Sequence, residues 1–266
     1  MTLSITATLR FNTPHRVDCL LQCEAAATAE QRILSGVTTL PAAVPITRVA
    51  AQDGVGERFW ISPEGDVTIT YEAEVEVVRQ AVDFAALSQL DKPDLPGEVT
   101  QYLFDSRYCA AESFQPFVDS EFPGLAGGPR ISAMRDWVAE HFSYVPGVSG
   151  AHTDARDSFV ERRGVCRDYA HVLVAFARAA GIPARYASCY APDVTPQDFH
   201  AIAEVFLADD NGGGEGGRWV PVDATGMADP MATALIGVGR DAADVSFLTS
   251  FGFVQFDGHE VTVERS

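Results

Sequence analysis

Three residues in the second half of the chain have the types and spacing for nucleophilic acyl transfer: Cys166 in RRGVCRDYAH, His200 in DFHAIAEVFL and Asp223 in RWVPVDATG. A thiolate nucleophile needs a base within reach, and the base needs an acceptor that fixes its ring. Cys166 falls in the first turn of an expected helix, where unpaired backbone N–H groups and the helix dipole favour the thiolate. Gly164 is expected to give the backbone freedom for a sharp turn into that helix, and Arg162, Arg163 and Arg167 add positive potential nearby. The competing reading is that Cys166 is a small buried apolar residue, as free cysteines usually are.

The elements around these residues follow from periodicity. Pro129 to Phe142 carries apolar residues at Ile131, Met134, Trp137, Val138 and Phe142, the spacing of an amphipathic helix. A second helix starts near Cys166, with Tyr169, Val172, Leu173, Phe176, Ala177 and Ala180 on one stripe, and stops at Gly181 with Pro183 beyond. RYASCYA, FHAIAEVFLA and RWVPVDA are of strand length, and NGGGEGG joins the last two as a flexible hairpin loop. His200, Ile202, Glu204 and Phe206 would then share one face of their strand. A hairpin centred at Asn211–Gly212 would set His200 opposite Asp223, and centring it on the glycine tract would shift that by a few residues.

GVCRDYAHVLVAFARAAGIPARYASCY, DFHAIAEVFL and RWVPVDATG resemble, in this order, the Cys, His and Asp motifs of the bacterial transglutaminase-like superfamily. The similarity runs from YLFDSRYC to GVGRDAADV. The resemblance implies a papain-like core, with a nucleophile-bearing helix packed on an antiparallel sheet, and an N-terminal β-domain before it. It assigns Cys166, His200 and Asp223 the nucleophile, base and orienting roles. It also implies a cysteine protease or amidase needing no metal or organic cofactor. The chain departs from the pattern in having Ile202 where many members carry an aromatic, and Arg218-Trp219 where a Gly-Trp pair is usual.

Arg167, Asp168 and Trp219 are candidates for a supporting shell around the triad. For the oxyanion, only the Cys166 backbone N–H can be named on physical grounds. His171 lies five residues after Cys166, well round the helix at ~100° per residue, and reads as structural. Trp137 is on an apolar stripe and reads as core. Cys19 and Cys23 lack the His/Cys partners of a zinc site and also read as core. Glu204 could line the cleft, although a solvated position is commoner.

The first 90 residues alternate in short runs, LSITATLRF, RVDCLLQCEA and RFWISPEGDVTITYEAEVEVV, which predicts an all-β, sandwich-like unit. SPEGD reads as a compact hairpin turn, and DKPDLPGE marks a boundary. The expected fold is therefore α+β, with a β-domain over 1–95 and a catalytic domain over 96–266. Thirty-seven acidic against 19 basic residues, a net charge of −18, exclude nucleic acid as a natural partner. No run of ~20 apolar residues spans a membrane, the start lacks a signal-peptide pattern, and five scattered cysteines fit reduced thiols, so a cytoplasmic location is expected. The expected partner is a peptide or protein substrate, hydrolysed at a peptide or isopeptide amide. Glutamine–lysine cross-linking and a non-catalytic peptide-binding module on the same fold are the alternatives.

Overall fold

The computed structural model describes residues 1–42, 44–209 and 216–266. Alternation in the N-terminal part gives six strands: β1 (Thr2–Thr13), β2 (Cys19–Leu21), β3 (Gln31–Thr39), β4 (Thr47–Ala50), β5 (Glu57–Ile61) and β6 (Gly65–Val77). The middle is helical: α1 (Gln115–Glu121), α2 (Gly127–His141), α3 (Ala155–Glu161) and α4 (Cys166–Ala179), with short strands β7 (Ser143–Tyr144) and β8 (Arg163–Gly164) between them. Strands return as β9 (Ala184–Tyr190), β10 (His200–Ala208), β11 (Gly217–Val222), β12 (Ala234–Gly239), β13 (Leu248–Ser250) and β14 (Gln255–Arg265). The α+β class and the helix and strand types agree with the sequence reading. Most of the glycine tract expected to form a hairpin loop lies outside the described residues.

Two β-sheets of the order β14-β1-β6-β3 and β13-β2-β5-β4 form the sandwich-like part. Leu9 and Phe11 of β1 and Val67 and Ile69 of β6 meet Cys19, Leu21, Phe59 and Ile61 of the facing sheet. Two details differ from expectation. β5 and β6 do not pair as a hairpin: β5 lies between β2 and β4, whereas β6 lies between β1 and β3. The SPEGD turn, with Gly65 at φ +88°, carries the chain from one sheet to the other, a connection that alternating strands at this spacing cannot distinguish from a hairpin. The sequence reading also placed residues 248–265 with the catalytic core. Instead β13 pairs with β2, and β14 pairs with β1 from Leu3↔Arg265 to Asn12↔Gln255.

The third sheet, β11-β10-β9-β12, is antiparallel and carries α4. Val172, Leu173, Ala175 and Phe176 of α4 pack with Ala203, Val205 and Leu207 of β10 and with Val220 and Val222 of β11. The sequence suggested a single apolar stripe, yet every α4 residue from Asp168 to Arg178 is buried, because α1, α2 and α3 cover the side away from the sheet. Phe176 shows this: its ring lies 5.3 Å from Phe114, 5.2 Å from Phe117 and 5.5 Å from Trp137. Trp137 is core, as expected. Arg178 anchors the far end of α4, donating to the carbonyls of Ala184, Phe104 and Arg240 at 2.9, 3.0 and 2.6 Å.

The β-rich part and the core share one apolar interior. Leu3, Ile5 and Ala7 of β1, with Tyr71, Val75, Val261 and Val263, bury against Tyr190, Ala234 and Ile236 of the third sheet. Gln31 works as a clasp between them, donating to Leu235 O at 2.8 Å and accepting from Leu235 N at 2.7 Å. One face of β1 thus serves the sandwich with Leu9 and Phe11 and the core with Leu3, Ile5 and Ala7. Because β14 flanks β1 and buries Val261 and Val263 in that shared interior, a chain ending at Val254 should lose cooperative thermal unfolding of the whole molecule. A sharp melt with the full chain's midpoint in the truncated protein would show that the C-terminal strand is dispensable.

Candidate active site

Cys166 is the first residue of α4, and its place is set by the residues on either side. Val165 is extended, at φ −114° and ψ −179°, and the Asp168 carboxylate reaches back to accept from Val165 N at 2.8 Å. Asp168 is fully buried, so it is a cap beneath the site and not a group facing solvent. Gly164 serves by its smallness and not through a special φ: a Cβ there would stand 2.6 Å from both Cβ and Oδ2 of Asp168. Arg167 donates to Asp168 Oδ1 at 3.2 Å and to Gly150 O at 2.9 Å, which pins its guanidinium beside the thiol. The other two arginines are elsewhere. Arg162 lies over the Phe159 and Trp137 rings at 4.1 and 4.4 Å, and Arg163 pairs with Glu161.

Parallel pairing of β7 with β8, Tyr144 opposite Gly164, brings Tyr144 alongside Cys166. Burial, followed by negative charge on Cys166, pushes the Tyr144 phenol up. Sequence reasoning missed this residue. Nothing in the spacing links position 144 to 166, although a polar-tipped aromatic directly after an amphipathic helix was a usable sign.

His200 opens β10 and Asp223 follows β11. The ladder pairs Ala203 with Val222, two residues displaced from a register that would face His200 to Asp223. The displacement places Asp223 just past the strand end, where the chain turns around its carboxylate. His200 Nε2 lies 3.1 Å from Asp223 Oδ2, with both side chains almost completely buried. Thr225 N and Ala228 N donate to the same carboxylate at 2.8 and 2.9 Å, and the Thr225 hydroxyl lies 2.8 and 2.9 Å from its two oxygens. Burial opposes the charge on Asp223, but the His200 bond and these donors hold the carboxyl below its ordinary range. Burial likewise pulls His200 down, and is outweighed by the Asp223 bond and by Cys166, so that the imidazolium persists to about 9. Nδ1, the other ring nitrogen, is buried without a hydrogen bond, and Cys166 acts on the ring by its nearness.

Cys166 and His200 open together onto a cleft of about 480 Å³, lined also by Tyr108, Arg167, Tyr186 and Phe199. Arg167 therefore reaches the site and Trp219 does not. Trp219 pairs with Phe206 at the far end of the hairpin, packed edge-on against Tyr102 at 5.2 Å with the Arg185 guanidinium 4.1 Å above it. Glu204 is neither solvated nor in the cleft: it is buried and paired with Arg185 at 2.8 Å. His171 is structural, with Nε2 accepting from Ala242 N at 3.1 Å, and burial pushes it down to about 3. Cys19 and Cys23 are packed in the sandwich interior, and no group of metal-ligating side chains occurs among the described residues. The sequence reading also missed His259 on β14, which lines the cleft and pairs with Asp198.

Comparison with known proteins places this geometry. Residues 124–224, which include Cys166, His200 and Asp223, match the model of the transglutaminase-like superfamily. A solved structure from Cytophaga hutchinsonii, named provisionally as a cysteine protease, overlays on 99% of this chain and 90% of its own with a TM-score of 0.91 and 28% identity. An uncharacterized protein of Mycobacterium leprae is 25% identical over 229 residues, 82% of this chain and 80% of that protein. One of Mycobacterium tuberculosis (strain H37Rv) is 29% identical over 170 residues, and there the chain matches about half the relative's length, 48%. Residues 124–224 are thus similar to the transglutaminase-like superfamily across all three motifs, and the full fold is shared with a bacterial relative.

Proposed function

We propose that the protein hydrolyses a peptide or isopeptide amide through a Cys166 thioester. The observation that carries this reading is the His200–Asp223 pair, whose carboxylate is fixed by Thr225 and Ala228 and whose ring shares the cleft with Cys166. The likeness to the transglutaminase-like superfamily supports cysteine-dependent chemistry on amides in general. In the first half-reaction the thiolate attacks the amide carbon while imidazolium stands ready. The C–N bond breaks, the amine leaves with the His200 proton, and the acyl group stays on sulfur. Water then attacks the thioester as His200 takes its proton, the C–S bond breaks, and the acid departs as thiolate and imidazolium are restored. Developing negative charge on the carbonyl oxygen is met by the Cys166 N–H at the start of α4, with Tyr144 on the neighbouring strand. Asp223 keeps one ring tautomer and stabilises the imidazolium.

Water needs no dedicated site, which favours hydrolysis over amine transfer. We take the substrate to be a peptide or protein; no helix among the described residues is long and apolar enough to cross a membrane.

Cys166→Ser should abolish amide turnover, measured on a general protein substrate, while thermal melts stay unchanged. Asp223→Asn should lower kcat by up to ~10⁴, the size seen for the corresponding change in serine proteases. The double variant should be hardly worse than Cys166→Ser alone, since the groups act as one unit. Full activity in Cys166→Ser would end the mechanism. Iodoacetamide at mildly acidic pH should label Cys166 far faster than the other cysteines. Those are buried, and burial pushes Cys23 and Cys109 up to about 12. Equal labelling would favour a binding module without turnover.

The pH profile has a defined sign. His200 holds its proton up to about 9, so kcat/KM should fall as pH rises through that value, where the Cys166–His200 pair loses its imidazolium. Asp223→Asn removes the partner that raises the ring, so the alkaline limb should move down towards the ordinary histidine range near ~6.5. An unmoved limb would show that Asp223 does not govern His200.

A further inference from the structure

The charged residues lining the cleft besides His200 are Arg107, Arg167, Asp198 and His259. Asp198 is occupied, since it pairs with His259 Nε2 and accepts from Phe199 N at 2.6 Å. Arg167 is fixed one residue from the candidate nucleophile by Gly150 O and Asp168. Arg107 forms no ion pair or hydrogen bond among the described residues and lies over the Tyr108 ring at 5.0 Å. That ring is a rigid base: Tyr108 N donates to Asp241 at 2.9 Å, its hydroxyl donates to Ala151 O at 2.8 Å, and it stacks on His171. Asp241, behind this wall, is buried and accepts from Tyr108 N and Ala243 N. A chain of net charge −18 thus sets two arginines around the one thiol that opens to solvent, with no unpaired carboxylate on the same lining.

We propose, resting on the amide-cleaving reading above, that this cleft selects acyl donors carrying a carboxylate beside the scissile amide, held by Arg107 and Arg167. Two substrates offer that chemistry: the free α-carboxylate of a γ-linked glutamyl isopeptide, and the side chain of an α-linked aspartate or glutamate. Arginine suits either through paired N–H donors, and the attraction is strongest where the cleft excludes water.

The test compares kcat/KM for fluorogenic amides with a γ-glutamyl, an α-glutamyl, a glutaminyl or a lysyl acyl group. At least one carboxylate substrate should exceed the glutaminyl one by about tenfold or more, and which of them does so identifies the source of the carboxylate. The ratio should shrink towards parity in R107Q and at high salt, and invert in favour of lysyl in R107E. Equal rates for all four amides would overturn the proposal while leaving the amide-cleaving reading intact. In parallel, binding of acidic and neutral peptides to the intact C166A protein is measured by calorimetry. Tenfold tighter binding of the acidic peptides would sustain the proposal even if no amide is turned over, and equal binding would overturn it.

Discussion

The contact between His200 and Asp223 is the constraint around which the core is arranged. Both side chains are almost wholly out of water, so their charges persist only because each supports the other and the turn from Thr225 to Ala228 supports the carboxylate. Removing one partner of a buried pair leaves an uncompensated charge, at a cost of about 3–5 kcal/mol. The β10–β11 ladder is therefore more than a scaffold. A slip of a single residue would flip Asp223 to the other face and strand the imidazole. The buried pair of Arg185 on β9 with Glu204 on β10, tied on to Asp53 at 2.9 Å, holds β10 from its other neighbouring strand.

The thiol side of the site depends on a different device. Asp168 caps Val165 from below, and only a glycine at 164 leaves it room. The same stretch of backbone is paired to Tyr144 through β7 and β8. Thiol, cap and tyrosine are thus positioned by the β7–β8 pairing and the first turn of α4, independent of the hairpin that supplies the histidine.

Much of this was legible before any coordinates, for identifiable reasons. Helix and strand periods exposed α2, α4 and the strands carrying His200 and Asp223, because their apolar residues are spaced by burial. The order Cys, His, Asp was legible because each sits in a local motif. What periodicity cannot carry is which strand lies beside which. Hence the SPEGD turn reads as a hairpin although it joins two sheets, and β14 reads as part of the core although it pairs with β1. Residues recruited by such distant pairings, Tyr144 and His259, were invisible for the same reason. Trp219 and Glu204 were misjudged because alternation tells which face a residue takes, but not how far along the strand the cleft extends.

The pairing of β1 with β14 has a temporal side. β1 is synthesised before its partner, and the strand that covers its open edge follows about 240 residues later. Until then β1 offers a row of unpaired backbone groups, a natural site for wrong pairing, and contacts of such long sequence separation form slowly. His259, on the same late strand, is one wall of the cleft. A nascent chain can have its thiol, imidazole and carboxylate already made while one wall of the cleft is still missing, so on the ribosome the cleft is completed last.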